Sequence, residues 1–221
     1  MEKLKTDWKN FLLYLLLIAG AFLILALFFS KEKTETNNQQ NVSTESATMK
    51  GKYTAPPQMS INSDKNYTAV VVTSQGNFTV ELFAKETPVT VNNFVFLSRE
   101  GFYNGVVFHR IIKDFMIQTG DPLGDGTGGP GYAFADEKIT RDYKRGIVAM
   151  ANSGPNTNGS QFFIIHQDTD LPKNYVIFGQ VTQGMETIDK IAEIEVESNS
   201  QGELSKPKSK VTINNITINE N

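Results

Sequence analysis

The chain has 221 residues, a formal net charge of −3, no cysteine and two histidines, His109 and His166. This composition excludes a disulfide framework, a Cys-ligated metal site and a His-rich metal cluster. With no Lys/Arg cluster it also points away from nucleic acid as a partner. A hydrophobic content of 39% is ordinary for a globular chain and fits one core domain.

Residues 11–29 read FLLYLLLIAGAFLILALFF without a charge. As a helix this run spans roughly 28 Å, close to the hydrocarbon thickness of a bilayer. It is apolar all round and a polar segment follows it, unlike a buried soluble helix. Lys3, Lys5 and Lys9 precede it and Lys31 and Lys33 follow it. The positive-inside rule gives a slight bias toward a cytoplasmic N-terminus over residues 1–10. The alternative is a cleaved signal peptide, but Phe28-Phe29-Ser30-Lys31 is a poor cleavage site. The expectation is therefore an uncleaved anchor in the lipid bilayer, single-pass, with the remainder of the chain outside the cytoplasm. Residues 30–60 are dominated by Asn, Gln, Ser, Thr and Lys, which bury too little surface to offset ordering entropy. They are expected to form a flexible tether, stiffer at Pro56-Pro57.

Residues 61–221 read as a folded domain. Tyr67–Thr73 and Phe78–Phe83 are β-branched and aromatic runs around Gln75-Gly76-Asn77, which predicts a hairpin. Thr87 followed by Pro88 predicts a helix start, with Thr87 as the capping side chain. Val91, Phe94, Val95 and Leu97 supply its apolar stripe, and Gly101 its stop. Short strands are predicted at Val106–Ile111, Phe115–Gln118, Ile147–Met150, Gln161–Ile165 and Val176–Val181. A second helix is predicted over Met185–Ile194, and a last alternating strand over Val211–Ile218. About eight strands and two helices make a mainly β domain, and closing the strands into a barrel would remove exposed edges.

Three stretches carry more information than any periodicity. They are Phe108 to Asp121 (FHRIIKDFMIQTGD), Met150 to Ile164 (MANSGPNTNGSQFFI) and Leu171 to Gly179 (LPKNYVIFG). Together they resemble the cyclophilin family in its order and near its spacing, and the similarity runs from about Tyr67 to Ile218. Long non-repetitive strings that agree together are far more specific than a four-residue motif. The resemblance implies a closed eight-stranded antiparallel barrel capped by two helices. It implies cis-trans isomerisation of the peptide bond preceding proline, with no cofactor and no metal, on proline-containing polypeptides, by a monomer. The family's catalytic arginine falls on Arg110. Its proline pocket falls on Phe115, Met116 and Phe163, with Leu171 at the rim. Its substrate-backbone contacts fall on Gln118, Ala151, Asn152 and Gln161, and Tyr175 stands where relatives often carry His. The segment His166–Asp170 lacks the Trp of cyclosporin-sensitive members, so the resemblance implies catalysis without implying drug binding. With the anchor, it implies help in folding exported proteins; the alternative is a tethered, non-catalytic binding or chaperone module.

The chemistry suits these residues. Rotation about a peptide bond faces about 20 kcal/mol because the nitrogen lone pair conjugates with the carbonyl. The two X-Pro isomers are close in energy, so the difficulty is kinetic and no nucleophile or proton relay is needed. A Phe/Met slot can hold the ring while an arginine donates to the prolyl nitrogen, a bond available only when conjugation is broken.

Simpler readings exist for single residues. Arg110 alone would be a surface charge, Phe115, Met116 and Phe163 alone would be core, and His109 reads as structural. Gly126 to Gly131 matches G-x-G-x-x-G without a βαβ context, and reads as a glycine loop beside the groove. Asp121, Asp125, Asp136 and Glu137 read as solvated loop charges.

Overall fold

A computed structural model describes residues 51–221. The apolar run 11–29 and the tether up to residue 50 lie outside the described residues. Among the described residues no helix is long and apolar enough to cross a membrane.

The chain runs β1 (Tyr67–Thr73), β2 (Gly76–Leu82), α1 (Pro88–Arg99), β3 (Arg110–Ile112), β4 (Met116–Thr119), β5 (Ile147–Met150), β6 (Phe162–Ile165) and β7 (Ile177–Gln183). It continues through α2 (Met185–Ala192), β8 (Val196–Ser198), β9 (Leu204–Pro207) and β10 (Ile213–Glu220). Eight strands form one antiparallel sheet in the order β10-β1-β2-β7-β5-β6-β4-β3, and β8 and β9 form a separate hairpin. Most boundaries fall within one or two residues of the predicted ones, the usual fraying of element ends.

The sheet is a half-barrel, which corrects the expected closed barrel. Its edges, β3 and β10, form no ladder with each other. Only a short seam joins that side: Val107 bridges Thr212, Phe108 N–H donates to Val211 at 3.0 Å, and Ile213 N–H donates to Val106 at 2.8 Å. The predicted strand Val106–Ile111 is divided by this seam. Its first half faces the start of β10, and only Arg110 and Ile111 join β3, whose partner is β4.

Both faces of the sheet are covered. Ile111, Ile117, Val148, Phe162 and Ile164 point into the main core with Phe94 and Phe178. Their alternating neighbours Met116, Ala149, Phe163 and Ile165 point the other way, into a second apolar cluster with Phe83, Tyr143, Ile147 and Ile177. This explains why β5 and β6 read as continuous apolar runs instead of alternating ones.

Helix α1 ends as expected. Gly101, at φ 67°, donates to Ser98, and Phe102 donates to Leu97. Its start differs. Thr87 makes no side-chain cap; its hydroxyl donates instead to the carbonyls of Phe83 (3.4 Å) and Ile177 (3.3 Å). The cap comes from a distant loop, where the Glu137 carboxylate accepts from Val89 N–H (3.0 Å), Thr90 N–H (2.7 Å) and the Thr90 hydroxyl (2.7 Å). Glu137 is therefore not the solvated charge expected of it.

The part of the expected tether that is described, residues 51–60, lies against the domain. Tyr53 packs on Phe96, Phe102 and Tyr132, and its N–H donates to Pro130. Gly131, at φ 106°, lets this backbone approach: a Cβ there would meet Tyr53 O at 2.1 Å. Further along, Asn92 accepts from the main chain of Ser60 and donates to Gln58 O. One aromatic residue in a polar run, together with the Asn92 amide, seats it.

Candidate active site

Arg110 stands at the start of β3, directly opposite Gln118 on β4, and Gln118 stands opposite Phe163 on β6. This register puts Arg110, Gln118, Met116 and Phe163 on the outer face of the sheet. The β3–β4 turn adds Phe115. At its tip Asp114 adopts φ 60°, and its N–H donates to His166 Nδ1 at 2.9 Å. From the other side come Ala151 and Asn152, just past β5, and Leu171 and Tyr175, before β7.

Nine residues line a single cavity of about 250 Å³: Arg110, Phe115, Met116, Gln118, Ala151, Asn152, Phe163, Leu171 and Tyr175. They are nine of the ten positions marked out by the sequence. Met116 is 1% exposed and Phe163 5%, so floor and wall are firm. Phe163 is held edge-on by Tyr175, ring centroids 5.4 Å apart. Tyr175 is tied in turn to Tyr143, whose hydroxyl donates to Tyr175 O at 2.9 Å and accepts from Tyr175 N–H at 3.1 Å.

Gln161, the tenth, does not reach this slot. Its Nε2 donates to Gly126 O (3.0 Å) and Gly128 O (2.9 Å), and its Oε1 accepts from Gln118 Nε2 at 3.0 Å. Its amide is thus engaged within the protein, tying the glycine loop to Gln118. It lines an adjoining cavity of about 800 Å³ that also touches Gln118, Ala151 and Asn152. The side chain of Asn152 is likewise engaged, donating to Asn174 O at 2.8 Å.

The loop Gly126 to Gly131 rims the adjoining cavity, as expected. It is organised by Asp121, which is fully buried and accepts from Leu123 N–H, Asp125 N–H and Gly126 N–H. Asp136 accepts from Asn156 N–H and Asn158 Nδ2. Asp121 is therefore a buried loop-builder, a correction to its reading as a solvated charge, whereas Asp136 ties the loop while staying exposed, as read. His109 does not line the slot. Both its ring nitrogens are buried without a hydrogen-bond partner, and burial lowers its pKa.

One residue at the site went unmarked in the sequence. Glu203, at the end of the turn between β8 and β9, grips Arg110 with both oxygens: Nε to Oε2 at 2.7 Å and Nη2 to Oε1 at 2.7 Å. Arg110, chiefly through these hydrogen bonds, pushes the Glu203 carboxyl down to about 2. The remaining nitrogen, Nη1, lies 3.4 Å from Gln118 Oε1 and 3.7 Å from Met116 Sδ. The signal for the hairpin was Asn199-Ser200-Gln201-Gly202, a turn flanked by two short runs.

An apolar slot with an arginine at its mouth, on the outer face of a mainly β half-barrel, defines a site that can seat a small apolar ring carried on a peptide. Residues 68–218 match the family described as "Cyclophilin type peptidyl-prolyl cis-trans isomerase/CLD", and the chain belongs to that family. It is 42% identical over 182 residues to a probable peptidyl-prolyl cis-trans isomerase B of Mycobacterium tuberculosis, covering 75% of this chain and 56% of the relative. The chain thus spans little more than half the length of that relative. It is 45% identical over 155 residues to peptidyl-prolyl cis-trans isomerase-like 3 of Gallus gallus, covering 67% of this chain and 94% of the relative. A crystal structure of a Cryptosporidium parvum cyclophilin type peptidyl-prolyl cis-trans isomerase superposes with a TM-score of 0.64 at 38% identity, covering 71% of this chain and 99% of that one. The same protein in the presence of the dipeptide Ala-Pro gives a TM-score of 0.63.

Proposed function

We propose that this chain is a peptidyl-prolyl cis-trans isomerase that rotates X-Pro bonds in polypeptides without covalent chemistry. One observation carries the reading: the Nη1 edge of Arg110 stands beside Gln118 and Met116 on the same cavity as Phe115, Phe163 and Leu171. The family, and a relative crystallised with Ala-Pro, support it. In this reading the proline ring sits against Met116 and Phe163. The main chain of Asn152 and the Gln118 amide hold the flanking peptide, so that binding energy resists rotation of the wrong part. As the prolyl nitrogen loses conjugation and becomes pyramidal, its lone pair localises on the nitrogen. Nη1–H donates to it, a bond absent in both planar isomers, so the twisted state is favoured. Arginine suits the task because its charge is permanent and its donor geometry rigid.

The test is exchange NMR on an Ala-Pro peptide with the full chain in detergent micelles. Arg110→Ala is expected to lose roughly 10²-fold in rate, the scale of one transition-state donor. A rate equal to that of the wild type would remove Arg110 from its role. If Arg110→Ala also supports the cell as well as wild type does, a groove that only binds is the better account.

The apolar run 11–29 supports a second part of the proposal: the domain works on exported polypeptides, tethered to the membrane with residues 1–10 in the cytoplasm. Protease digestion of intact cells tests this. Survival of the domain until the membrane is permeabilised would overturn it.

A further inference from the structure

The β8–β9 hairpin lies against β3, the strand that carries Arg110. Its construction converges on the main chain of one residue, Glu203. Asn199 Oδ1 accepts from Gln201 N–H and Glu203 N–H, and the Asn199 and Glu203 main chains are joined by a further hydrogen bond at 2.8 Å. Gly202, at φ 83°, gives the turn its left-handed step. The Ser205 hydroxyl, in a residue 1% exposed, accepts from Asn199 Nδ2 at 3.3 Å and helps hold the Glu203 pKa down. Outside the turn, Lys206 with Glu197 and Lys208 with Glu195 brace the two strands. Glu203 is therefore held by its own hairpin before it meets Arg110.

We infer that Glu203 is a positioning residue for Arg110: by taking the Nε–Nη2 edge of the guanidinium, it fixes the Nη1 edge toward the proline slot. This rests on the isomerase reading. An arginine side chain has four rotatable bonds, and Arg110 has its other near contacts, at 3.4 Å and 3.7 Å, only through Nη1. Without the carboxylate, no hydrogen bond among the described residues holds the far edge of the fork. Two effects of Glu203 oppose each other. It aims the donor, and it also offsets part of the positive charge that would meet the developing lone pair. The pair is 31% and 38% exposed, so water screens the field of the carboxylate. The aim of the fork is a contact effect and is not screened. Positioning should win.

The experiment compares the full chain in detergent micelles with Glu203→Ala, Glu203→Gln and Arg110→Ala, following exchange and binding of an Ala-Pro peptide by NMR. Glu203→Ala is expected to lower the exchange rate at saturation about tenfold, with the affinity for the peptide changed less than about twofold, as loss of orientation requires. Glu203→Gln keeps an acceptor and is expected to recover most of that loss. Lys65→Gln, which breaks an ion pair outside the hairpin, should match wild type. A Glu203→Ala rate equal to or above wild type, with Arg110→Ala still inactive, overturns the inference and leaves the isomerase reading intact; a faster variant would make Glu203 a brake. A loss confined to affinity also overturns it. An active Arg110→Ala overturns the isomerase reading itself.

Discussion

Removing Glu137 should unfasten the start of α1, although the residue is 48 and 47 positions from the two helix amides it serves. The donors at that end can be counted completely. Pro88 has no N–H, Val91 N–H donates to Thr87 O at 3.0 Å, and Val89 and Thr90 both donate to Glu137. Glu137→Ala leaves those two amides without their partner, and also strands the hydroxyl of Thr90, whose residue is fully buried. A lost cap costs about 1 kcal/mol, and the charge at the helix N-terminus contributes about 0.3–1 kcal/mol. A buried hydroxyl without a partner costs about 1–3 kcal/mol. The terms share one carboxylate, so a total of about 3 kcal/mol is the reasonable expectation. In a domain of this size that lowers Tm by roughly 6–12 °C. Glu137→Gln keeps acceptors and loses charge, and should shift Tm by about a third as much. Thermal unfolding followed by circular dichroism decides. Thr87→Ala is the informative contrast, because the Thr87 hydroxyl makes only long bonds to carbonyls and caps nothing. If Thr87→Ala melts lower than Glu137→Ala, or if Glu137→Ala melts within about 2 °C of wild type, the assignment of the cap is wrong.

Phe163→Ala removes a wall of the slot that touches the proline ring in every state of the proposed reaction. Its main catalytic effect should therefore be a KM raised about tenfold, with kcat reduced less, measured by peptide titration. Equal loss in kcat and kcat/KM would show that Phe163 acts in the twisted state instead. For pH, Glu203 is held down to about 2 by Arg110, against an ordinary value of 4.5. A depressed carboxyl contributes stability that is complete above about 4.5 and is lost as pH falls toward 2. Glu86, lowered chiefly by its hydrogen bond to Arg141, acts in the same direction. Acid melts should therefore show stability falling below about pH 4.5, with Glu203→Gln lacking part of that slope. The exchange rate itself should stay flat from about pH 5 to 8, since the proposed rotation transfers no proton. An inflection near neutrality would mean that a titrating group takes part.

How much of this was legible beforehand depends on how far apart the interacting residues lie. The end of α1 was readable because Gly101 and the carbonyls it serves are neighbours in sequence. Its true cap was not, because Glu137 lies 48 and 47 residues beyond the Val89 and Thr90 amides it serves and nothing local marks it; Thr87 looked the part and points elsewhere. The β8–β9 hairpin escaped notice because its strands have three and four residues and a polar, mostly exposed pattern. With it escaped Glu203. Closure of the barrel was inferred from the cost of free edges, whereas the chain satisfies that edge with a few seam bonds between residues 106–108 and 211–213.

The slot itself shows why pattern and resemblance had to work together. Met116-Ile117 and Phe163-Ile164 are apolar pairs in which one member faces the main core and the other the outer cluster. Periodicity says that the members of each pair face opposite ways, but not which is which, because both faces are buried. A one-residue slip of β4 against β3 and β6 would exchange Ile117 for Met116 and turn Gln118 away from Arg110. That register is pinned at the β3–β4 turn, where Phe115 N–H returns to Ile112 O and the Asp114 N–H is caught by His166. The proposed chemistry needs no unusual reactivity from any side chain. It needs a ring-sized gap and a guanidinium edge held in register with it, so the residues that matter most after Arg110 are those that fix geometry: His166 under the turn, Tyr175 behind Phe163, and Glu203 on the far side of the arginine.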